Sequence, residues 1–240
     1  MAEPTIRALL FDVFGTVVDW RSGVAREVEA LASRRGVSVD GGEFGDRWRA
    51  RYQPAMEEVR AGRRPFVPLD VLHRENLEGV VSDLGLSGLD ANDLNELNLA
   101  WHRLDPWPDS VEGLTRLKPR FILGTQSNGN VSLMVNMAKR AGLPWDVILG
   151  AEVTGHYKPS PQSYSEACRL LGLMPAECML VAAHNADLVA AREACGMRTA
   201  FVSRPDEYGA HRPRPAEAQP SAEYDHVASD FLDLATQLGC

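Results

Sequence analysis

Asp12, Ser127, Asn128, Lys158, His184 and Asp187 are the residues of this chain whose types and settings point to chemistry. Three apolar runs lead into most of them, and such runs read as buried strands. Leu9-Leu10-Phe11 leads into Asp12-Val13-Phe14-Gly15-Thr16, and Phe121-Ile122-Leu123-Gly124 leads toward Ser127-Asn128-Gly129. Leu180-Val181-Ala182-Ala183 leads into His184-Asn185-Ala186-Asp187. Lys158 precedes Pro159, which makes it the last residue of an extended segment. In a parallel sheet the carboxyl ends of neighbouring strands lie about 5 Å apart. A carboxylate, an ammonium, hydroxyls, an amide and an imidazole can therefore meet in one small pocket, where open α/β sheets bind ligands. Taken singly, each group also has a plainer use. Asp12 suits a turn or helix N-cap, Lys158 a solvated loop, Asp187 an N-cap and His184 a hydrogen-bonded core position.

The elements that must position these groups alternate. A strand is expected over Ile6 to Phe14 and a helix over Val24 to Ser33. From about Gly36 to Pro106 the pattern is helical, with Phe44, Trp48 and Tyr52 at four-residue spacing on one face. Asp105-Pro106-Trp107-Pro108 breaks it. Thereafter strands are expected at Arg120–Thr125, Asp146–Leu149, Cys178–Ala183 and Thr199–Val202. Helices are expected at Val131–Ala141, Pro161–Leu171, Asp187–Ala194 and Phe231–Leu238, with Arg204 to Pro220 as a surface loop. Such alternation predicts right-handed βαβ units. The expected fold class is α/β: a doubly wound, Rossmann-like parallel sheet with an inserted all-helical cap domain. The core would comprise residues 1–18 and 106–240, and the cap 19–105.

Composition narrows the function. The 240 residues carry 25 basic and 33 acidic side chains, a net charge of −8. That balance argues against nucleic acid or an anionic membrane as partner. No run of about 18 apolar residues suits a membrane span, and Met1-Ala2-Glu3-Pro4 does not resemble a secretory signal. Cys168, Cys178, Cys195 and Cys240 have no paired metal spacing and read as reduced thiols of a cytoplasmic protein.

Asp12-Val13-Phe14-Gly15-Thr16, Ser127-Asn128-Gly129, Lys158-Pro159 and the Asp187 segment, in that order with a cap after the first, resemble the haloacid dehalogenase superfamily. Within it, Phe14, Ser-Asn-Gly and the Trp48-Arg49 pair are closest to the L-2-haloacid dehalogenases. The resemblance implies that Asp12 attacks the carbon bearing halogen, and that water opens the resulting ester. Lys158 would keep Asp12 ionised, and Asp187 would fix Lys158 and help position the water. Thr16 and Ser127, with backbone N–H groups around Phe14 and Gly15, would grip the substrate carboxylate. Arg49 and Asn128 would meet the halide or carboxylate, and Tyr164 matches a functional tyrosine of the family. The family's Ser and Asn are replaced here by Ala182 and His184, which makes His184 a candidate base or halide donor. No metal or other cofactor is required by this chemistry. The substrate would be a small haloacid, and a homodimer is expected from the resemblance.

Three other readings are weighed against this one. Fluoroacetate-type defluorination would be the main activity if His184 shrinks the halide site. A Mg²⁺-dependent phosphatase of the same superfamily would need a second acid where Phe14 stands and a metal ligand where Ala183 stands. A non-catalytic binding protein on this scaffold would not need Asp12, Lys158 and Asp187 together.

Overall fold

A strand made only of apolar residues is stable where both of its faces are covered, and β1 (Ala8–Phe11) is fully buried. In the computed structural model, which describes residues 5–209 and 218–240, β1 is an inner strand of the main sheet. The parallel order is β5 (Val147–Gly150), β4 (Ile122–Ser127), β1, β6 (Cys178–Ala182), β7 (Arg198–Val202) and β8 (His226–Ala228). Side chains of β1 alternate between two cores. Leu9 and Phe11 pack with residues of α6 (Ser110–Leu117), α7 (Val131–Ala141) and α11 (Phe231–Gln237). Ala8 and Leu10 pack with residues of α9 (Pro161–Leu170) and α10 (Asn185–Cys195) on the other face. This is the doubly wound sheet expected. The short edge strand β8 was not anticipated, since only three residues carry it.

The insertion between β1 and β4 is helical: α1 (Trp20–Arg35), α2 (Gly41–Ala50), α3 (Tyr52–Arg60), α4 (Leu69–Asp83) and α5 (Ala91–Asn98). Asp19, Asp40 and Asp90 accept backbone N–H bonds as N-caps of α1, α2 and α5. Phe44, Trp48 and Tyr52 are all buried, but the chain changes helix at Arg51, so the three do not share one helix. Asp105-Pro106, expected only as a breaker, is β3 and pairs antiparallel with β2 (Val18–Asp19). This ribbon joins the insertion to the sheet.

A polar network docks the helices beside the end of β4. Asp70, in the first turn of α4, accepts from Asn130 Nδ2 at 2.9 Å and lies 3.0 Å from His102 Nε2. Asn136 Nδ2 donates to His102 Nδ1 at 2.9 Å, which leaves the ring proton on Nε2, toward Asp70.

The segment 204–220 departs from the expected surface loop. Residues 210–217 lie outside the described residues, as do residues 1–4, but Arg204 and Glu207 are buried. Arg204 makes a two-pronged ion pair with Asp109 at 2.7 and 2.8 Å and donates from Nε to the Thr16 carbonyl at 2.8 Å. Asp109 also accepts from the Phe231 amide. Burial disfavours the Asp109 charge, but the Arg204 guanidinium outweighs it and holds the carboxyl below its usual range. Because the folded-state pKa is depressed, the pair stabilises above the unfolded carboxylate pKa of about 4 and is lost below it. Asp109→Asn should cost about 3–5 kcal/mol in urea unfolding at pH 7, since it leaves a buried guanidinium unpaired. The gap to the unmodified protein should narrow as the pH falls below about 4. Equal stability at pH 7 would show that the pair does not anchor this segment.

Candidate active site

Asp12 directly follows β1, and its amide donates to the Val181 carbonyl of β6. Its carboxylate is therefore held at the carboxyl edge of the sheet. Lys158 Nζ donates to Asp12 Oδ1 at 2.8 Å, and Thr16 Oγ1 donates to Oδ2 at 2.7 Å. His184 Nδ1 lies 2.9 Å from Oδ2. Burial disfavours a charge on Asp12, yet Lys158 and His184 hold its carboxyl far below the usual carboxylate range. Asp12 is ionised at every ordinary pH.

Lys158 was expected as the last residue of an extended segment, and it stands in a turn instead. It lies in a turn between α8 (Ala151–Thr154) and α9, reached after β5, and its peptide to Pro159 is cis. Two side chains hold that turn: Asn128 Oδ1 accepts from the Lys158 amide at 2.8 Å, and Arg60 of α3 donates to the Lys158 carbonyl at 3.0 Å. The ammonium bridges Asp12 and Asp187. Burial opposes its charge, but the two carboxylates overcome this and raise its pKa above the ordinary lysine value. Asp187 sits in the first turn of α10 and is not its N-cap. It also accepts from the Tyr164 hydroxyl at 2.8 Å. Burial, and then Asp187 itself, push the Tyr164 phenol up, so it remains a donor.

A cavity of about 530 Å³ opens over these groups, lined by Asp12, Lys158, Asp187 and His184 from the sheet side and by Arg49 and Tyr52 from the helices above. Of three neighbouring arginines, Arg47 pairs with Glu43 and Arg51 with Asp83, while Arg49 faces the cavity. The Arg49 guanidinium stands over the Tyr52 ring at 4.1 Å, with Nη1 buried and without a hydrogen-bond partner among the described residues. Asn128 lines the same cavity.

Thr16, Ser127, Phe14 and Tyr164, all expected at the site, stand behind the cavity and outside its lining. The Thr16 hydroxyl is fully buried, donates to Asp12 and accepts from the Ala183 amide. Ser127 is also fully buried, and its hydroxyl accepts from the Gly129 amide within the Ser-Asn-Gly turn. Phe14 packs edge-on to Trp101 at 5.6 Å, and Tyr164 is buried beneath Asp187. The Gly15 amide binds the Val18 carbonyl and is not available to an anion. Ser127 and the Gly15 amide find partners within their own turns, whereas Thr16, Phe14 and Tyr164 are engaged by Ala183, Trp101 and Asp187 from other segments.

His184 is the N-cap of α10, and its carbonyl accepts from the Asp187 amide at 3.2 Å. Its Nε2 lies 3.0 Å from Glu207 Oε2 and 3.1 Å from Oε1, so each ring nitrogen faces a carboxylate. Burial disfavours the imidazolium, but Glu207 and Asp12 prevail and raise its pKa well above 6.5. Glu207, Trp20, Arg60 and Tyr208 were missed in the sequence. The strand-tip rule does point to Glu207, because Arg204-Pro205-Asp206-Glu207 follows β7, a fifth parallel strand beside β6. Reading the stretch as a Pro-rich surface loop hid it.

The sequence pattern of haloacid dehalogenase-like hydrolases matches residues 6–194. A defluorinating L-2-haloacid dehalogenase, Rha0230, shares 51% identity over 98% of this chain and 96% of its own, with a TM-score of 0.94. The L-2-haloacid dehalogenase PA0810 shares 49% identity over 98% and 99%, with a TM-score of 0.93. An (S)-2-haloacid dehalogenase of Pseudomonas sp. (strain CBS-3) is 31% identical over 85% of this chain and 88% of its own. With the motif order intact along the sheet edge, this chain belongs to the haloacid dehalogenase-like hydrolases and, among them, to the L-2-haloacid dehalogenases.

Proposed function

We propose that this protein is a hydrolytic dehalogenase that converts short-chain (S)-2-haloacids into (R)-2-hydroxy acids through an ester at Asp12. The observation that carries this reading is an ionised Asp12 facing a cavity whose opposite wall holds an arginine nitrogen with no partner among the described residues. The names of the similar proteins support the same substrate class. The roles of Asp12, Lys158, Asp187, His184 and Thr16 as catalytic machinery, and of Arg49 and Asn128 as anion-binding groups, follow from it.

The first step is displacement at carbon. Asp12 attacks the carbon bearing halogen, a carbon–oxygen bond forms as the carbon–halogen bond breaks, and the halide leaves with its electron pair. Lys158 and Thr16 hold the carboxylate on one side of the substrate carbon, which favours a fixed line of attack. Arg49 supplies positive charge where halide or substrate carboxylate gathers. Water then opens the ester at the Asp12 carboxyl carbon, restoring the carboxylate. In this scheme no protonated leaving alcohol is required in the first step, consistent with Phe14 in place of an acid.

His184 enters this scheme charged. Once Asp12 is alkylated its negative charge is gone, and the imidazolium Nδ1–H is released toward the departing halide. Fluoride, the strongest hydrogen-bond acceptor among the halides, gains most from such a donor. This, with the 51% identity to a relative named as defluorinating, favours defluorination as a second activity of the same site.

Three outcomes test the reading. In a single turnover in ¹⁸O-water, label should enter Asp12 before it enters the hydroxy acid, as read by peptide mass spectrometry. Label appearing first in the hydroxy acid would replace the ester with direct attack by water. (S)-2-chloropropionate should give (R)-2-hydroxypropionate by chiral chromatography, because only one displacement occurs at carbon; a retained or racemic product would contradict it. Chloride release should persist in EDTA, and p-nitrophenyl phosphate with Mg²⁺ should give no phosphate. A rate that collapses in EDTA and recovers with Mg²⁺ would reverse the choice between dehalogenase and phosphatase.

A further inference from the structure

The residue least explained by the scheme above is Glu207. It is 4% exposed, and buried carboxylates are uncommon unless something holds them. Trp20 Nε1 donates to Glu207 Oε1 at 3.0 Å, and His184 Nε2 faces both of its oxygens. Gly15, at φ +86°, provides the remaining space: a Cβ there would stand 2.1 Å from Oε1. The carboxylate is thus fixed on three sides, by an indole, a glycine and the imidazole. Among the described residues, the other charged groups around His184 are Asp12 on its Nδ1 side, Lys158 and Asp187 beyond Asp12, and Arg49 across the cavity.

We propose that Glu207 is the positioning residue of this site, holding the proton of His184 on Nε2 so that Nδ1 can serve as base toward the Asp12 ester. The proposal rests on the ester reading above. In the resting enzyme both nitrogens face anions, so the ring is doubly protonated and cannot act as a base. Alkylation neutralises Asp12, and one of the two anions is lost. The Nδ1 proton then leaves to solvent with the halide, while Glu207 retains the proton on Nε2. The next water gives one proton to Nδ1 as its oxygen bonds to the Asp12 carboxyl carbon. The tetrahedral intermediate breaks its bond to the alkyl oxygen, which departs with the electron pair and takes the second water proton. Asp12 is again a carboxylate and His184 an imidazolium. Overall one water is consumed, and one proton and one halide are released. The charge on Asp12 itself therefore determines whether His184 is a base, which separates the two steps in time.

The two steps can be read separately in Glu207→Gln. Rapid mixing with chloroacetate should show a chloride burst slowed far less than ester hydrolysis, because Asp12 keeps its bonds from Lys158 and Thr16 in this variant. Ester hydrolysis should slow on the order of 10²-fold, within the range lost when general-base help fails. An Asp12 adduct should then accumulate on the intact protein. The limb of the hydrolysis rate that rises with pH should also move to lower pH, since loss of an anion beside His184 weakens its hold on protons. Equal losses in both steps with an unmoved limb would mean that Glu207 only supports the fold, and would overturn its role alone. Absence of any Asp12 adduct in the unmodified enzyme under single turnover would overturn the ester reading and this role with it.

A second measurement does not depend on Glu207→Gln folding. In ¹⁵N-histidine spectra the unmodified enzyme should show His184 protonated at both nitrogens at neutral pH. In Asp12→Asn, whose uncharged side chain stands in for the ester, His184 should titrate at lower pH and carry its remaining proton on Nε2. A neutral ring protonated on Nδ1, or an unchanged titration, would overturn the proposal.

Discussion

A single row of alternating charge governs this molecule: Asp187, Lys158, Asp12, His184 and Glu207, closed at one end by the Tyr164 hydroxyl and at the other by the Trp20 indole. Removing ions from water costs several kcal/mol each, and only well-placed opposite charges offset that cost. Within the row every ion has an opposite charge next to it. Losing one member leaves its neighbours buried and uncompensated, so the row behaves as a unit. It also explains how a carboxylate in a largely buried setting stays ionised, which an anionic nucleophile requires.

The rest of the fold can be understood as the support of that row. Parallel pairing of β1 with β4 and β6 brings Asp12, the Ser-Asn-Gly turn and His184 to one edge. The Arg204–Asp109 pair ties the segment bearing Glu207 to the start of α6 and to the Thr16 carbonyl. Above the cavity, Trp48, Trp101, Phe14 and His73 form an aromatic layer that joins the inserted helices to the sheet. His73 belongs to this layer and not to the ionic row. It stacks on Trp101 at 4.3 Å, and burial pushes its pKa down to about 3, so it packs as a neutral ring.

Water exclusion and charge are linked through this arrangement. The arginine above the cavity is partly desolvated against Tyr52, and one of its nitrogens has no partner among the described residues. An anion entering from solvent gains an interaction there that water does not already supply. The sheet side carries the opposite arrangement: the Asp12 carboxylate is surrounded by donors that hold it ionised and fixed. The site is therefore polarised across a small gap, with a carboxylate below and a guanidinium above.

Local sequence determined the strand tips and the chemistry available at them. An aliphatic run can hide its backbone only in a sheet covered on both faces, and the polar residues after such runs must emerge at its edge. That reasoning reaches Asp12, Asn128, His184, a parallel sheet covered on both faces and the helical insertion from residue types and spacing alone. Phe14 likewise declares in the sequence that no proton donor stands two residues beyond Asp12. The tertiary structure decided which polar groups spend themselves on one another. Lys158 meets Asp12 across 146 positions from a turn, not a strand end, and its path there depends on Asn128 and Arg60. Thr16 and Ser127 are turned inward because partners lie closer than any ligand. Glu207 reaches His184 because its segment folds back after β7, and Gly15 leaves room for it. Hydroxyl and carboxylate directions depend on distances of a few tenths of an ångström between distant segments, and only packing sets those distances.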